Sequence, residues 1–303
     1  MGKNIELTAG DGHKFSAYVA EPSGKPKGAL IVVMEIFGVN SHIKKVADEY
    51  AADGYLVRTG VFEPAELQAI VADCEELVAR LVARRRHGRR AFGSYTFERD
   101  RELDTIVKWE GDSDVVSGVE PFAHLSPTLA AWAHDARFLE PMRDICGDDT
   151  PCLYTEKLNL KRPRRGGANP LHQDQPYWRE IADDLERIAT AMVFLDEAAV
   201  ENGCLEVLPG SHRLGAQATR ADRDGSNNLE MDPAPFEGVE LTPLPVPAGA
   251  VVFFGPLLIH RSEPNRSDRQ RRSLLLSYQP AGCRHLRERL FAPRDPVPPG
   301  NDG

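Results

Sequence analysis

After about residue 150 the chain breaks into short apolar runs separated by turns, and that rhythm leaves few folds open to it. LYTEKLNLK (153–161), IATAMVFLD (188–196), GCLEVLP (203–209), AVVFFGPLLIHR (250–261) and RRSLLLSYQP (271–280) have the length and β-branched or aromatic content of strands, with Gly, Pro, Asn and Asp in the gaps. Turn-rich loops separate them. The pattern therefore predicts an antiparallel, mainly β architecture with flanking helices. A double-stranded β-helix, or jelly roll, fits it best.

Chemistry-bearing residues sit on and between these runs. His172 and Asp174 in NPLHQDQPYW are two apart, so on a strand they share a face and can bind one metal. A buried histidine satisfied by a nearby acid would look the same. A second cluster strengthens the metal reading: His260 ends the apolar run LLIH, the polar turn EPNRSD follows, and a return strand carries Arg271. Two histidines and one carboxylate on one face of an octahedral ion leave adjacent positions free for a chelating oxo-acid and dioxygen, which serves oxidation. Zinc also accepts such ligands, but the H-E-x-x-H helix of zinc hydrolases is absent.

Upstream, Pro64 opens a helix whose apolar positions Leu67, Ile70, Val71, Cys74, Leu77, Val78, Leu81 and Val82 recur at helical spacing, with Gly88 as its stop. Arg84–Arg90 (RRRHGRR) is read as a solvated helix end, the alternative being a handle for an anionic substrate. A further helix is expected around 127–145. Residues 90–150 otherwise offer little that points to chemistry.

The first part of the chain is of a different kind. FSAYVA and ALIVVM read as strands, and Ser41 caps a helix bearing Ile43, Val46, Ala47 and Tyr50. Through ELTAGDGHKFSAYVAEP and MEIFGVNSHIKKVADEYAADGY this segment resembles the start of dienelactone hydrolases, α/β-hydrolase enzymes in which the glutamate equivalent to Glu35 belongs to the active-site network. The resemblance ends near Val57. No nucleophile elbow follows; Cys204 in ENGCLEV lacks the glycine two positions on. Residues 1–57 are thus expected to be a non-catalytic strand-strand-helix fragment, which must pack on the rest, pair with another chain or stay poorly ordered.

From about residue 45 to 285 the chain resembles the phytanoyl-CoA dioxygenase family of Fe(II)- and 2-oxoglutarate-dependent oxygenases. The matching pieces are DGYLVRTGVF, KLNLKRP, PLHQD, ENGCLEVLPGSHRLG and HRSEPNRSDRQRRS. The resemblance implies a cupin-like jelly roll over 58–290, followed by a proline-rich tail at 291–303. It makes His172, Asp174 and His260 the iron ligands and pairs Arg271 with the distal carboxylate of 2-oxoglutarate, a role suited to a planar fork. Arg272 should face the other way. Ser262 and Asn159 match positions that help hold the co-substrate, and Thr190 is a further candidate for it. His212 in PGSH and Glu206 are read as structural, and Tyr177 and Trp178 as core or substrate mouth.

The implied reaction consumes 2-oxoglutarate and O2 and releases succinate and CO2. Because Asp174 is retained, where related halogenases carry a small residue, hydroxylation is expected. The rival readings are a hydrolase resting on the first 57 residues, and a non-catalytic metal-binding cupin-like protein. The substrate is expected to be a small molecule, with KRPRR (161–165) hinting at an anionic one. A formal charge of −9 speaks against nucleic acid, no apolar run reaches the roughly 18–20 residues of a membrane span, and no secretory h-region opens the chain. Five scattered cysteines fit reduced thiols and a cytoplasmic oxidoreductase.

Overall fold

In the computed structural model, which describes residues 3–8, 14–19, 50–84, 88–92, 95–224 and 229–291, the strand-forming runs assemble into three antiparallel sheets. The large sheet has nine strands in the order β3 (Tyr55–Arg58), β13 (Val251–Phe254), β10 (Ala189–Phe194), β15 (Arg271–Gln279), β8 (Cys152–Lys161), β7 (Val116–Glu120), β6 (Thr105–Glu110), β5 (Tyr95–Asp100) and β4 (Arg90–Phe92). A four-stranded sheet runs β12 (Thr242–Leu244), β11 (Leu205–Val207), β14 (His260–Ser262), β9 (Asn169–His172). The quartet β13-β10-β15-β8 and this smaller sheet are the two leaves of a jelly roll, without a closed barrel.

Period-two alternation decides what each face of β10 and β15 does. Met192 and Phe194 point inward with Val252, Phe254, Leu205, Val207 and Leu244, forming the dry layer between the leaves. Ala189, Ala191, Val193, Leu274, Leu276 and Tyr278 point outward into a second core. Helix α1 (Pro64–Ala83) covers that outer face with Leu67, Ile70, Cys74, Leu77, Val78 and Leu81, the stripe the spacing predicts. A capping box between Glu63 and Glu66 starts α1, and Pro64 costs it no hydrogen bond at that position. Charge fixes it too. Glu75 accepts from Arg272 Nη1 (3.0 Å) and Arg162 (2.7 and 2.8 Å), and Arg272 also grips Asp196, so Arg272 does face away from Arg271.

Several expectations are redrawn. The helix expected at 127–145 is two: α2 (Pro127–Trp132), capped by Ser126, and α3 (Ala136–Cys146), where Asp135 accepts from the Arg137 amide and starts afresh. The single run AVVFFGPLLIHR becomes two strands in different sheets, β13 and β14, with the turn at Gly255–Leu258 between them. His260 therefore begins a strand instead of ending one. Residues 90–120, which looked uninformative, supply β4–β7 and extend the floor of the large sheet by four strands.

At the N-terminus, β1 (Lys3–Thr8) and β2 (Lys14–Val19) form a hairpin in a sheet of their own. The expected ALIVVM strand, Glu35, the cap at Ser41 and the proline-rich tail lie outside the described residues. A boundary at 57/58 falls inside β3, which pairs with β13 in the large sheet. No helix among the described residues is long and apolar enough to cross a membrane. All five cysteines are free.

The aromatic cluster under α3 sets much of the stability of the outer core. Phe138 is fully buried, with ring centroids 5.1 Å from Phe62 and 5.3 Å from Trp132. Phe138→Ala should lower the unfolding free energy by about 3–5 kcal/mol in urea denaturation.

Candidate metal centre

Strand pairing brings the two histidines together. β9 and β14 are antiparallel neighbours in which His172 lies directly opposite His260, and the imidazole centroids are 4.1 Å apart. Each ring is oriented by the chain just before it. His172 Nδ1 lies 2.7 Å from the Pro170 carbonyl, and His260 Nδ1 lies 3.0 Å from that of Leu258. A carbonyl only accepts, so both Nδ1 atoms carry the proton and both Nε2 atoms keep a lone pair for a metal. Burial holds the His172 pKa well below the ordinary imidazole range, and His260 adds to the effect, which also favours the neutral ligand form.

Asp174 arrives by a route different from the expected one. β9 stops at His172, and Asp174 is in right-handed helical conformation as the residue before a single-turn helix, α4 (Gln175–Trp178). The Gln175 amide donates to the Pro256 carbonyl, tying that turn to the β13–β14 connection. Thus Asp174 Oδ1 comes within 3.7 Å of His172 Nε2 through a helical turn, not through strand alternation. Gln173, between the two, is 1 % exposed and points the opposite way. Its amide donates to Gly215 and Leu257 carbonyls, and its oxygen accepts from the Gln217 amide. Sequence reasoning missed this brace.

One ligand atom each from His172, Asp174 and His260 lies within 4.8 Å of the other two. Two neutral imidazole nitrogens and a carboxylate oxygen on one side of a point suit a divalent first-row ion with its remaining positions open.

Arg271 is 1 % exposed and spans the gap between the leaves. Its Nη1 donates to Ser273 Oγ and its Nη2 to the Gly203 carbonyl, both at 3.0 Å, with the guanidinium 6.0 Å from the Phe194 ring centroid. Gly203 has a φ of +79°, and a Cβ there would overlap the Glu263 carbonyl, so ENGC needs this glycine to present its carbonyl to Arg271. Asn202, fully buried, holds the turn by accepting from the Ala199 amide and donating to the Glu197 carbonyl. Ser273, one pleat from Arg271, was not singled out from the sequence, although period two marks it.

The remaining candidates separate. Ser262 is buried and accepts from Asn169 Nδ2 (3.1 Å), whose own side-chain oxygen accepts from Lys108 Nζ (3.3 Å), a chain of contacts joining the two leaves. Asn159 faces Ser273 across β8 and β15. Thr190 shares a hydrogen bond with Ser277 (2.8 Å), six residues along β15 from Arg271 and so about 20 Å away along the strand. Tyr177, 38 % exposed, stands edge-on to the His172 ring at the mouth, whereas Trp178 is core against Tyr154. Glu206 pairs with Arg261, and His212 packs against Gly54.

Three of the four cations of the basic segment KRPRR, Lys161, Arg162 and Arg164, have partners within the fold. Lys161 donates to the carbonyls of Gly167, Ser262 and Glu263, and burial followed by Arg271 pulls its pKa to about 6. Arg162 is bound by Glu75 and Arg164 by Asp268. At the end of α1, Arg84 pairs with Glu102.

Residues 50–273 match the family described as phytanoyl-CoA dioxygenase (PhyH), and residues 15–63 match the dienelactone hydrolase family. Among curated relatives, a methylphosphonate hydroxylase of Gimesia maris is 33% identical over 140 residues, 46% of this chain and 50% of that protein. An L-proline trans-4-hydroxylase of Streptomyces griseoviridis is 35% identical over 146 residues, 42% of this chain and 53% of its own. The chain thus spans about half the length of these relatives. Among solved structures, EctD from S. alaskensis with 2-oxoglutarate and 5-hydroxyectoine superposes with a TM-score of 0.63 at 20% identity, covering 86% of this chain and 83% of that one. The epimerase SnoN, in complex with Fe3+, alpha ketoglutarate and nogalamycin RO, gives 0.61 at 20% identity, over 85% and 93%. At these identities the structural likeness establishes the shared fold.

The brace beneath the triad is open to test. Gln173→Leu leaves the Gln217 amide and the Leu257 carbonyl without their partner and should weaken metal binding about 10–100-fold in equilibrium dialysis, with the far-ultraviolet circular dichroism unchanged.

Proposed function

The chain belongs to the phytanoyl-CoA dioxygenase family, and from that membership we propose that it is an Fe(II)- and 2-oxoglutarate-dependent dioxygenase that hydroxylates a small organic substrate. The observation that carries this reading is the placement of His172 opposite His260, both Nε2 atoms free and Asp174 turned back toward them. His172, Asp174 and His260 are the proposed ligands. Arg271 is the proposed anchor for the distal carboxylate of 2-oxoglutarate, with Ser262 and Asn159 beside it; Thr190, remote from Arg271, is kept only as a candidate on the same sheet face.

Iron bound there supplies dioxygen activation coupled to decarboxylation of the oxo-acid, so that substrate, 2-oxoglutarate and O2 become hydroxylated product, succinate and CO2. The chain's own residues do the positioning. The Pro170 and Leu258 carbonyls hold a proton on each Nδ1, which fixes the ring orientation and leaves Nε2 as the atom turned to the metal. Arg271 is pre-aimed by Ser273 and Gly203, so little rotamer freedom is lost when it takes a carboxylate. The apolar layer of Phe194, Phe254 and Met192 keeps water from the space behind it. Retention of a carboxylate at Asp174 favours hydroxylation over halogenation.

On the same reading residues 1–57 are a non-catalytic hydrolase-like segment, 58–290 the oxygenase domain and 291–303 a tail. The enzyme works in the cytoplasm, in keeping with its free cysteines, and its small-molecule substrate carries an anionic group, with no nucleic acid as partner.

Anaerobic titration of apo-protein with Fe(II) and 2-oxoglutarate should give a visible metal-to-ligand charge-transfer band. Asp174→Ala should abolish it, and Arg271→Ala should raise the 2-oxoglutarate Kd about 100-fold. An intact band in both variants would sink the assignment.

A further inference from the structure

Beside the triad lies a group of charges that neither the metal nor the co-substrate anchor uses. Period two along β8 sets Lys157, Asn159 and Lys161 on the inner face. The register puts Lys157 opposite Leu275, four residues and about 13 Å along the strand from Arg271. On the neighbouring strands Glu120 and Lys108 project from the same face, Lys108 opposite Gly118, which has no side chain to come between Lys108 and Asn159.

The two lysines differ in their surroundings. Lys108 reaches Asn169, and burial pulls its pKa to about 7 with Lys157 adding to the effect. Lys157 is half-buried, and its ammonium makes no hydrogen bond or close ion pair among the described residues. It is near enough to His172 and Glu120 for its charge to act on both. Glu120, whose carboxyl burial pushes upward, already accepts from Thr155 at 3.0 Å. A cation held in a half-dry pocket beside a reaction centre, with its donors unspent, is suited to complete its shell with an anionic ligand.

We infer that the substrate is an organic acid whose anionic group is bound by Lys157, with Lys108 behind it, at the end of the sheet face opposite to Arg271. The inference rests on the oxygenase reading and refines it: one inner face carries two cationic stations, Arg271 for the co-substrate and Lys157 for the substrate. Lys157 thereby selects acids over neutral isosteres and sets which carbon faces the metal. Carboxylate and phosphate share the required chemistry, a compact anion with several acceptor oxygens.

The test uses the full chain loaded with Mn(II) and saturating 2-oxoglutarate, titrated calorimetrically with propanoate, inorganic phosphate and propanamide. At least one anion should bind with one-to-one stoichiometry while propanamide does not; which anion binds tells carboxylate from phosphate. Lys157→Met should weaken that binding about tenfold or more, as expected for loss of a charge-assisted hydrogen bond, and Lys157→Arg should recover most of it. The 2-oxoglutarate Kd should be unchanged in both variants. Equal anion binding by the parent and Lys157→Met, or no anion binding by the parent, would overturn the inference. So would a variant that loses 2-oxoglutarate instead, since the lysine would then serve the co-substrate. Failure of the parent to bind 2-oxoglutarate at all is a separate result, which overturns the oxygenase reading itself.

Discussion

The antiparallel pairing of β9 with β14 is the contact on which the rest of the site depends. Antiparallel neighbours bring residues that are far apart in sequence face to face at about 4.5–5.5 Å between Cα atoms, and here the pair that meets is His172 and His260. Eighty-odd residues separate them in the chain, so their meeting is fixed by the topology of the leaf and by the irregularity between His260 and Ser262 that lets Ser262 face Asn169. A one-residue slip in this ladder would send one imidazole to the outer surface. The fold guards against slippage on both sides: Gln173 ties the end of β9 to Leu257, and Ser211 Oγ accepts from the Ile259 amide just before β14.

The second constraint is the burial of a permanent cation. Desolvating a guanidinium is costly, and the fold offsets part of that cost by presenting oxygens to Nη1 and Nη2 of Arg271. The Gly203 carbonyl exists in that position because Asn202 closes a turn only a glycine can complete. Lys161, opposite Arg271 on β8, is itself held by three carbonyls and anchors the Gly166–Gly167 and Ser262–Glu263 backbones around the same corner. ENGC, KRP and EPN are thus parts of one scaffold: Asn265 also donates to the Lys161 carbonyl and caps the turn leading into β15. These three motifs lie about 40 to 60 residues apart in the sequence and enclose one guanidinium in the fold.

How much was legible follows from where the signal is local. The apolar runs after residue 150, the α1 stripe and the opposite facing of Arg271 and Arg272 are periodicities, and the structure keeps them. His172 and His260 were recognisable from their motifs, but the reason first given for Asp174, alternation along a strand, is replaced by a helical turn, because α4 begins where β9 ends. The run at 250–261 did carry a breaker, Gly255-Pro256, which marks where Gly255–Leu258 passes from one sheet to the other, and the reading of one continuous strand passed over it. Strands β4–β7 escaped notice since β5 ends in three charges, ERD, and β6 alternates apolar with charged residues in VKWE, and such charge reads as solvent exposure when in fact one face of β6 lines the site. Lys108, Glu120 and Lys157 were missed for that reason: buried polar side chains at a site look, in a linear sequence, like an ordinary wet face.

The overlap of the two family matches at residues 50–63 has a physical counterpart in the segment that joins them. The helical residues 50–53, the positive-φ Gly54 and strand β3 are equally serviceable as the exit from a hydrolase-like helix and as the entry to the jelly roll. In this chain they are committed to the second use. β3 forms four registered pairs with β13, the Asp53 carbonyl accepts from the Gly210 amide, the Ala52 carbonyl accepts from Arg213, and the His212 ring packs where a Cβ on residue 54 would lie. Tyr50, its hydroxyl pKa raised by burial, faces the main body near Cys146. The loop PGSH therefore serves as the receptor for the junction. That role accounts for a histidine which has the look of a ligand in the sequence and lies with Gly54, away from the metal site, in the fold. Because β3 is the edge strand of the large sheet, removing the junction would uncover the β13 ladder and the apolar strip beneath it, whereas the β1–β2 hairpin shares no ladder with either leaf. Residues 50–58, which both family matches cover, are accordingly held in this chain by their contacts with the jelly roll.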